Sequence, residues 1–170
     1  GKDFHVFNTL FRGRSDARVV CFTATQIPGI DGRRYPASLA GSGYPDGIPI
    51  EPEARLEELV RAERIDDVVF AYSAVSYDTI DGHRRKVAAP GAHFGTPDPR
   101  ALMLEAQVPV IAVCAVRTAC GKSQTSRRVL GILRDTGHRV VIVRHPMPYG
   151  DLVAQRVQRF ATIADLETNP

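Results

Sequence analysis

The stretch that most constrains this chain is an apolar run, Val108 to Val116, that ends in the polar turn Arg117-Thr118-Ala119-Cys120-Gly121-Lys122-Ser123. Residues 110–116 are continuously apolar and mostly β-branched or small, the pattern of a parallel strand buried on both faces. After Ser123 the period changes: Ser126, Val129, Leu130 and Leu133 recur at helical spacing, and Gly137 is placed to end that helix. The polar turn therefore joins a buried strand to a helix N-terminus. Unpaired N–H groups and the positive end of the helix dipole favour an anion there.

Each residue of the turn has a use in holding phosphate. Gly121 lets the backbone approach closely, Lys122 supplies charge, and Ser123 offers a hydroxyl to Mg²⁺. A nucleoside triphosphate is the expected ligand. The strict pattern G-x-x-x-x-G-K-[S/T] asks for glycine where Val116 stands, so the variant K-G-G-x-G-K-[S/T] fits better. In that register Arg117 replaces the extra lysine, and Thr118 and Ala119 replace the two glycines. Arg117 could then reach phosphate oxygens in its own subunit or across a dimer. The competing reading is an ordinary amphipathic helix that begins with a surface lysine. Strand, turn and helix fall in the order that favours the phosphate site. So does residue usage: Lys2, Lys86 and Lys122 are the only lysines beside 19 arginines, and an ammonium is retained where phosphate binding needs one.

Composition bounds the rest. The chain has 170 residues, 44% hydrophobic and 24% charged, enough for a sizeable core in one domain or in touching parts of two. Its apolar runs are too short to span a bilayer and no secretory signal opens it, which predicts a cytoplasmic protein. A net charge of +3 is too small and dispersed to argue for nucleic acid, and suits anionic small molecules at least as well. Cys21 and Cys114 lie in apolar strand-like runs and read as buried, reduced thiols. Cys120 reads as a small loop residue, or as a thiol acidified by the helix N-terminus.

Along the chain, Phe4, Phe7, Leu10 and Phe11 predict a helix stopped by Gly13, one expected to follow a strand and a Gly-rich turn. Arg18–Thr23 reads as a buried strand, and Ala24–Gly47 as a long loop in which Arg33 and Arg34 either hold an anionic substrate or are simply solvated. Ile48–Ile50 is a short strand before a helix from Pro52 to about Arg64, and Val68–Tyr72 is the next buried strand. Ser73 and Ser76 follow it, placed for ligand contact or, for Ser76, for capping a helix over Asp78–Ala89. That helix carries a basic stretch, His83-Arg84-Arg85-Lys86, expected to be solvated. Pro90–Pro99 reads as a connector, with a domain boundary near residue 105. Arg139–Arg144 is another expected buried strand. In the turn after it, His145 and Asp151 are candidates for substrate or Mg²⁺, unless Asp151 caps a helix bearing Leu152, Val153, Val157 and Phe160. Thr162-Ile163-Ala164-Asp165 has the form of a capping box.

Taken together, several stretches resemble the cyclic 2,3-diphosphoglycerate synthetases and their bacterial relatives. They are Asp3-Phe4-His5, Phe22-Thr23-Ala24-Thr25-Gln26-Ile27-Pro28-Gly29, Gly32-Arg33-Arg34-Tyr35-Pro36, Tyr44-Pro45-Asp46-Gly47-Ile48-Pro49-Ile50, Val68-Val69-Phe70-Ala71-Tyr72-Ser73, Val110 through Arg127, and Val143 through Leu152. The resemblance implies an α/β chain: a Rossmann-like domain over 1–105 lacking its first strand, then the beginning of a P-loop NTPase domain over 106–170. It implies an ATP-dependent ligase that uses Mg²⁺, with K⁺ favouring activity, to close 2,3-diphosphoglycerate into a cyclic phosphoanhydride. By motif match, Gly121, Lys122, Ser123 and Gln124, with Thr118, Ala119 and Cys120, carry over as nucleotide-loop residues, and Lys122 and Arg117 as catalytic. Ala119 stands where the family pattern has glycine. The expected partners are a small anionic phosphorylated substrate and a second copy in a homodimer. An alternative from another class is a regulatory or metal-delivery NTPase that releases no small product, and a third is a binding module with a degenerate loop.

Overall fold

The computed structural model describes residues 1–24, 29–30, 32–72, 75–115, 120–144 and 150–168, with positions 166 and 168 described in their backbone only. They form two compact units, Gly1–Met103 with Pro146–Pro170, and Leu104–His145. The chain is mixed α/β, with small sheets containing parallel pairs and flanked by helices.

In the first unit, α1 (Lys2–Val6) runs into a wider turn over Phe7–Phe11, where Arg12 N–H donates to the Phe7 carbonyl five residues back at 2.9 Å. The helical spacing expected of Phe4 and Phe7 is realised, and both rings are buried. They pack on a sheet of β1 (Phe22–Ala24), β2 (Arg34–Tyr35) and β3 (Ile48–Pro52), ordered β1-β3-β2. Strands β1 and β3 are parallel, with Phe22 opposite Ile50, and β2 pairs antiparallel with β3. Alternation puts Ile48 and Ile50 of β3 inside, each 1% exposed. Edge-to-face contacts join Phe7 to Phe22, Tyr35 and Tyr44, with ring centroids 5.4 to 5.7 Å apart. Both tyrosine hydroxyls are satisfied at the cluster's edge. Tyr35 bonds the Asn8 amide, and Tyr44 accepts from Val19 N–H at 3.0 Å.

The expected loop Ala24–Gly47 is corrected here, since it contains β2 and the one-turn helix α2 (Ala37–Ala40). Its buried anchors, Tyr35, Ala40 and Tyr44, are too widely spaced to show a period, yet each fills this core.

A second small core lies under α3 (Leu56–Ala62), which follows a tight turn over Glu53–Arg55, and α4 (Tyr77–Ala88). Leu56, Val60, Val87 and Ala92 meet there, against parallel strands β4 (Asp67–Val69) and β5 (His93–Gly95). Ser76 caps α4, its Oγ accepting from Thr79 N–H at 3.2 Å. Of the expected solvated basic stretch only Arg84, Arg85 and Lys86 are exposed, and His83 turns inward.

The helix expected beyond Asp151 does not form. One tight turn, Ala154–Arg156, ends where Val157 becomes extended, and only Leu152 reaches the core while Val157 stays 81% exposed. One arm of the capping box forms, the acid reaching back to the N–H three residues earlier. Asp165 Oδ2 accepts from Ala161 and Thr162 N–H at 2.7 and 2.6 Å at the start of α6 (Asp165–Thr168).

The second unit is built on α5 (Lys122–Asp135). It is closed as expected by Gly137, whose φ is +84° and after which His138 N–H reaches the Leu133 carbonyl at 2.9 Å. The two buried strands expected here are corrected. Residues 110–115 and 139–144 belong to no ladder among the described residues, and Val110, Ile111, Val141 and Val143 are exposed. A strand covered on both faces needs neighbouring strands and two flanking layers, and the described residues of this unit supply one helix. Cys114 is therefore exposed rather than buried.

Candidate functional site

The first candidate is the N-terminus of α5. Gly121 precedes it in the left-handed region, at φ +81° and ψ 10°, and its carbonyl accepts the first helical bond from Thr125 N–H at 3.0 Å. A side chain at this position would be strained, so glycine is needed for the turn from loop to helix. Gly121 has no side chain to cap the helix, and the N–H groups of Lys122, Ser123 and Gln124 lie in its first turn. Lys122 is half-buried, and Ser123 and Gln124 are exposed, as is Cys120. Donors, an ammonium and a hydroxyl thus share one helical turn. Arg117, Thr118 and Ala119 lie outside the described residues, as do His145 and Ser73.

Mg²⁺ bound with a nucleotide takes few protein ligands, since phosphate oxygens and water complete its octahedron. The exposed Ser123 hydroxyl in the first turn fits that demand. Among the described residues no three His, Cys, Asp or Glu side chains converge as a metal cluster of their own.

The candidates Arg33, Arg34 and Asp151 belong to the first unit, where backbone contacts occupy them. Arg33 donates to the Gly150 carbonyl at 2.7 Å. Arg34 donates from Nε to Asp46 O at 2.7 Å and from Nη2 to Gly47 O at 3.1 Å, holding the turn before β3. Asp151 Oδ1 accepts from Val153 and Ala154 N–H at 2.7 and 2.9 Å, the capping geometry weighed against its ligand role. Those N–H donors, Ala154 first, hold its carboxyl below the usual range, and the charge of Arg33 adds to them. Arg33 and Asp151 are thus brought together, and Arg34 works on the turn.

Sequence reading missed a cleft of about 460 Å³ between β1 and β4. Glu53 and His83 line it, a pair at 3.4 Å whose side chains are 16% and 12% exposed, with the imidazole against the Phe70 ring at 5.2 Å. The signal was present in α4, because Ile80, His83 and Val87 fall on one helical face. Tyr72 closes one end, its hydroxyl donating to Thr23 O at 3.4 Å.

Fold and site define a mixed α/β protein that carries a glycine-preceded helix N-terminus suited to an anion. Over 167 residues, 98% of its length, the chain is 53% identical to arginine synthetase ArcE of Thermococcus kodakarensis. It spans 37% of that relative's length. No family profile and no solved structure matches the chain. No helix among the described residues is long and apolar enough to cross a membrane.

Proposed function

We propose that this chain is part of an ATP-dependent ligase whose triphosphate lies at the N-terminus of α5. The observation that carries the proposal is the 53% identity, over nearly the whole chain, to a protein named as a synthetase. Gly121, with its left-handed backbone, and Lys122 and Ser123 in the first helical turn support the placement.

The chemistry asked of such a site is transfer of the γ-phosphoryl group to an oxygen of the substrate, with release of ADP. A second nucleophile then forms the product bond and expels that oxygen as phosphate. The α5 amides and Lys122 offset charge on the transferring group, Ser123 holds Mg²⁺, and Arg117 adds a guanidinium from its own subunit or from a homodimer partner. Arginine synthesis is the first reading of the product, with nitrogen as the second nucleophile. The segments shared with cyclic 2,3-diphosphoglycerate synthetases favour a second, in which the nucleophile is the other phosphate of a small anionic substrate and K⁺ assists.

Calorimetric titration with ATP–Mg²⁺ tests the site. Binding should weaken at least about tenfold in Lys122→Ala, the loss of one charge-assisted contact. Equal binding by both proteins refutes the placement. Mass spectrometry of turnover mixtures, for arginine against the cyclic phosphoanhydride, decides the product. Hydrolysis indifferent to either substrate and stimulated by a protein would instead favour the regulatory NTPase.

A further inference from the structure

The cleft between β1 and β4 has two chemically different ends. The Tyr72 hydroxyl, just past β4, donates to Thr23 O near the end of β1 at 3.4 Å, and Glu53 directly follows β3. The carboxyl ends of these strands therefore meet at one end of the cleft, the edge at which open α/β sheets bind ligands. Most other charges of the lining belong elsewhere. Arg18, Arg64, Asp66 and Asp67 precede or open β1 and β4, at the amino ends of the strands. Asp16 is held by Arg14, and Asp3 lies against Gly1. Among the described residues, the carboxyl end thus presents one carboxylate, Glu53, and neither a guanidinium nor an ammonium.

Around Glu53 this end is aromatic. Phe70 is the hub, with ring centroids 5.2 Å from His83, 5.4 Å from Tyr72 and 5.8 Å from Phe94, and all four rings line the cleft. His83 Nε2 stands 3.4 Å from Glu53 Oε1, longer than the roughly 2.7–2.9 Å of a charge-assisted hydrogen bond, so the pair is loose. A carboxylate partly withdrawn from water beside π faces attracts a cation more strongly than the same group on an open surface. A guanidinium suits both features, because its N–H fork pairs with a carboxylate while its plane stacks on aromatic rings. The neighbouring surface already uses this chemistry, since the Arg84 guanidinium lies 6.0 Å over the Phe94 ring. The cleft, about 460 Å³, is of the size of small-molecule sites, and Leu56 and Val69 in its lining offer cover for an alkyl chain. We propose that this corner binds a small organic cation, a guanidinium on a short alkyl chain, with Glu53 as counter-ion and Phe70 and Tyr72 as stacking faces. All of its residues lie in the first unit, so the site stands or falls separately from the triphosphate at α5. Arginine, the first reading of the product, is one member of the class.

The test is an NMR chemical-shift titration of the 170-residue chain, without nucleotide, using butylguanidinium and its uncharged isostere butylurea. Butylguanidinium should move the ring signals of His83, Phe70 and Tyr72 before others. It should bind at least about tenfold more tightly than butylurea, the worth of one charge-assisted pair. Glu53→Gln keeps the size of the side chain and removes its charge, so it should abolish that preference. Asp67→Asn, at the other end of the cleft, should leave it intact. The two probes compared on the unaltered chain decide the matter even if Glu53→Gln does not fold. Equal affinity for both probes, the result of simply filling an apolar groove, overturns the inference. So do shifts centred on Asp66 and Asp67, a preference that survives Glu53→Gln, or no shift at millimolar probe.

Discussion

Replacing Gly47 by alanine should be among the most damaging single-methyl changes in the first unit. Gly47 sits at φ +69° in the turn that Arg34 holds, and its N–H donates to Tyr44 O at 2.9 Å. A Cβ built there would lie 2.3 Å from Tyr35 O and 3.1 Å from Ala37 N. Both are backbone atoms, one in β2 and one in α2, so neither can yield by rotating a side chain. The left-handed conformation costs an L-residue about 1–2 kcal/mol, and forcing apart packed backbone adds about 1–3 kcal/mol. The sum is about 3 kcal/mol, enough to lower the melting temperature of a unit this size by roughly 9–18 °C. Gly29→Ala separates the two costs, because Gly29 has φ +70° with nothing within 4 Å of its Cβ, and should lose only about 1–2 kcal/mol. Gly43→Ala, with open space and no positive φ, should be close to neutral. Urea unfolding followed by near-UV circular dichroism of Tyr35 and Tyr44 reports this unit specifically. Equal losses at Gly47 and Gly29 would refute the steric part of the reasoning, and a neutral Gly47→Ala would refute all of it.

Other expectations follow from single contacts. Asp16, paired with Arg14, should titrate at about 2 rather than its usual 3.8. Its folded pKa is depressed, so its contribution to stability is present above pH 3.8 and fades as pH falls toward 2, and Arg14→Gln should return the NMR titration of Asp16 toward 3.8. Burial first, then the charges of Glu51 and Glu63, push the Cys21 thiol up to about 11. Iodoacetamide at pH 8 should therefore alkylate the exposed Cys114 before Cys21, as read by peptide mass mapping. Ser76→Ala removes the α4 cap and should cost about 1 kcal/mol in urea unfolding, and Ser76→Thr should restore most of it.

Much of the fold was legible because local patterns carry it. Phe4 and Phe7 announced α1, Ser76 its cap on α4, and Gly121 and Gly137 the two ends of α5, each through a period or a backbone constraint that acts within a few residues. The helix start on which the candidate phosphate site rests was legible for the same reason, since Gly121 and the first turn of α5 are local. Arg33, Arg34 and Asp151 were not. Sequence marks their charge, but only the folded chain brings Gly150 to Arg33 and the turn carbonyls to Arg34. His83 shows the reverse case, a helical-face position whose partner, Glu53, is thirty residues away and met only through packing.

The residue order by itself determined where helices begin and end and which runs must be covered, because those are properties of neighbouring side chains and peptide groups. Tertiary structure alone decided which covers exist. It gave β3 two partners and a closed face, and left β1 and β4 facing each other across a cleft. Among the described residues it left 110–115 and 139–144 without a ladder. A strand's hydrogen bonds and both of its faces are satisfied by other segments, so its sequence states a need that only the surrounding chain can meet.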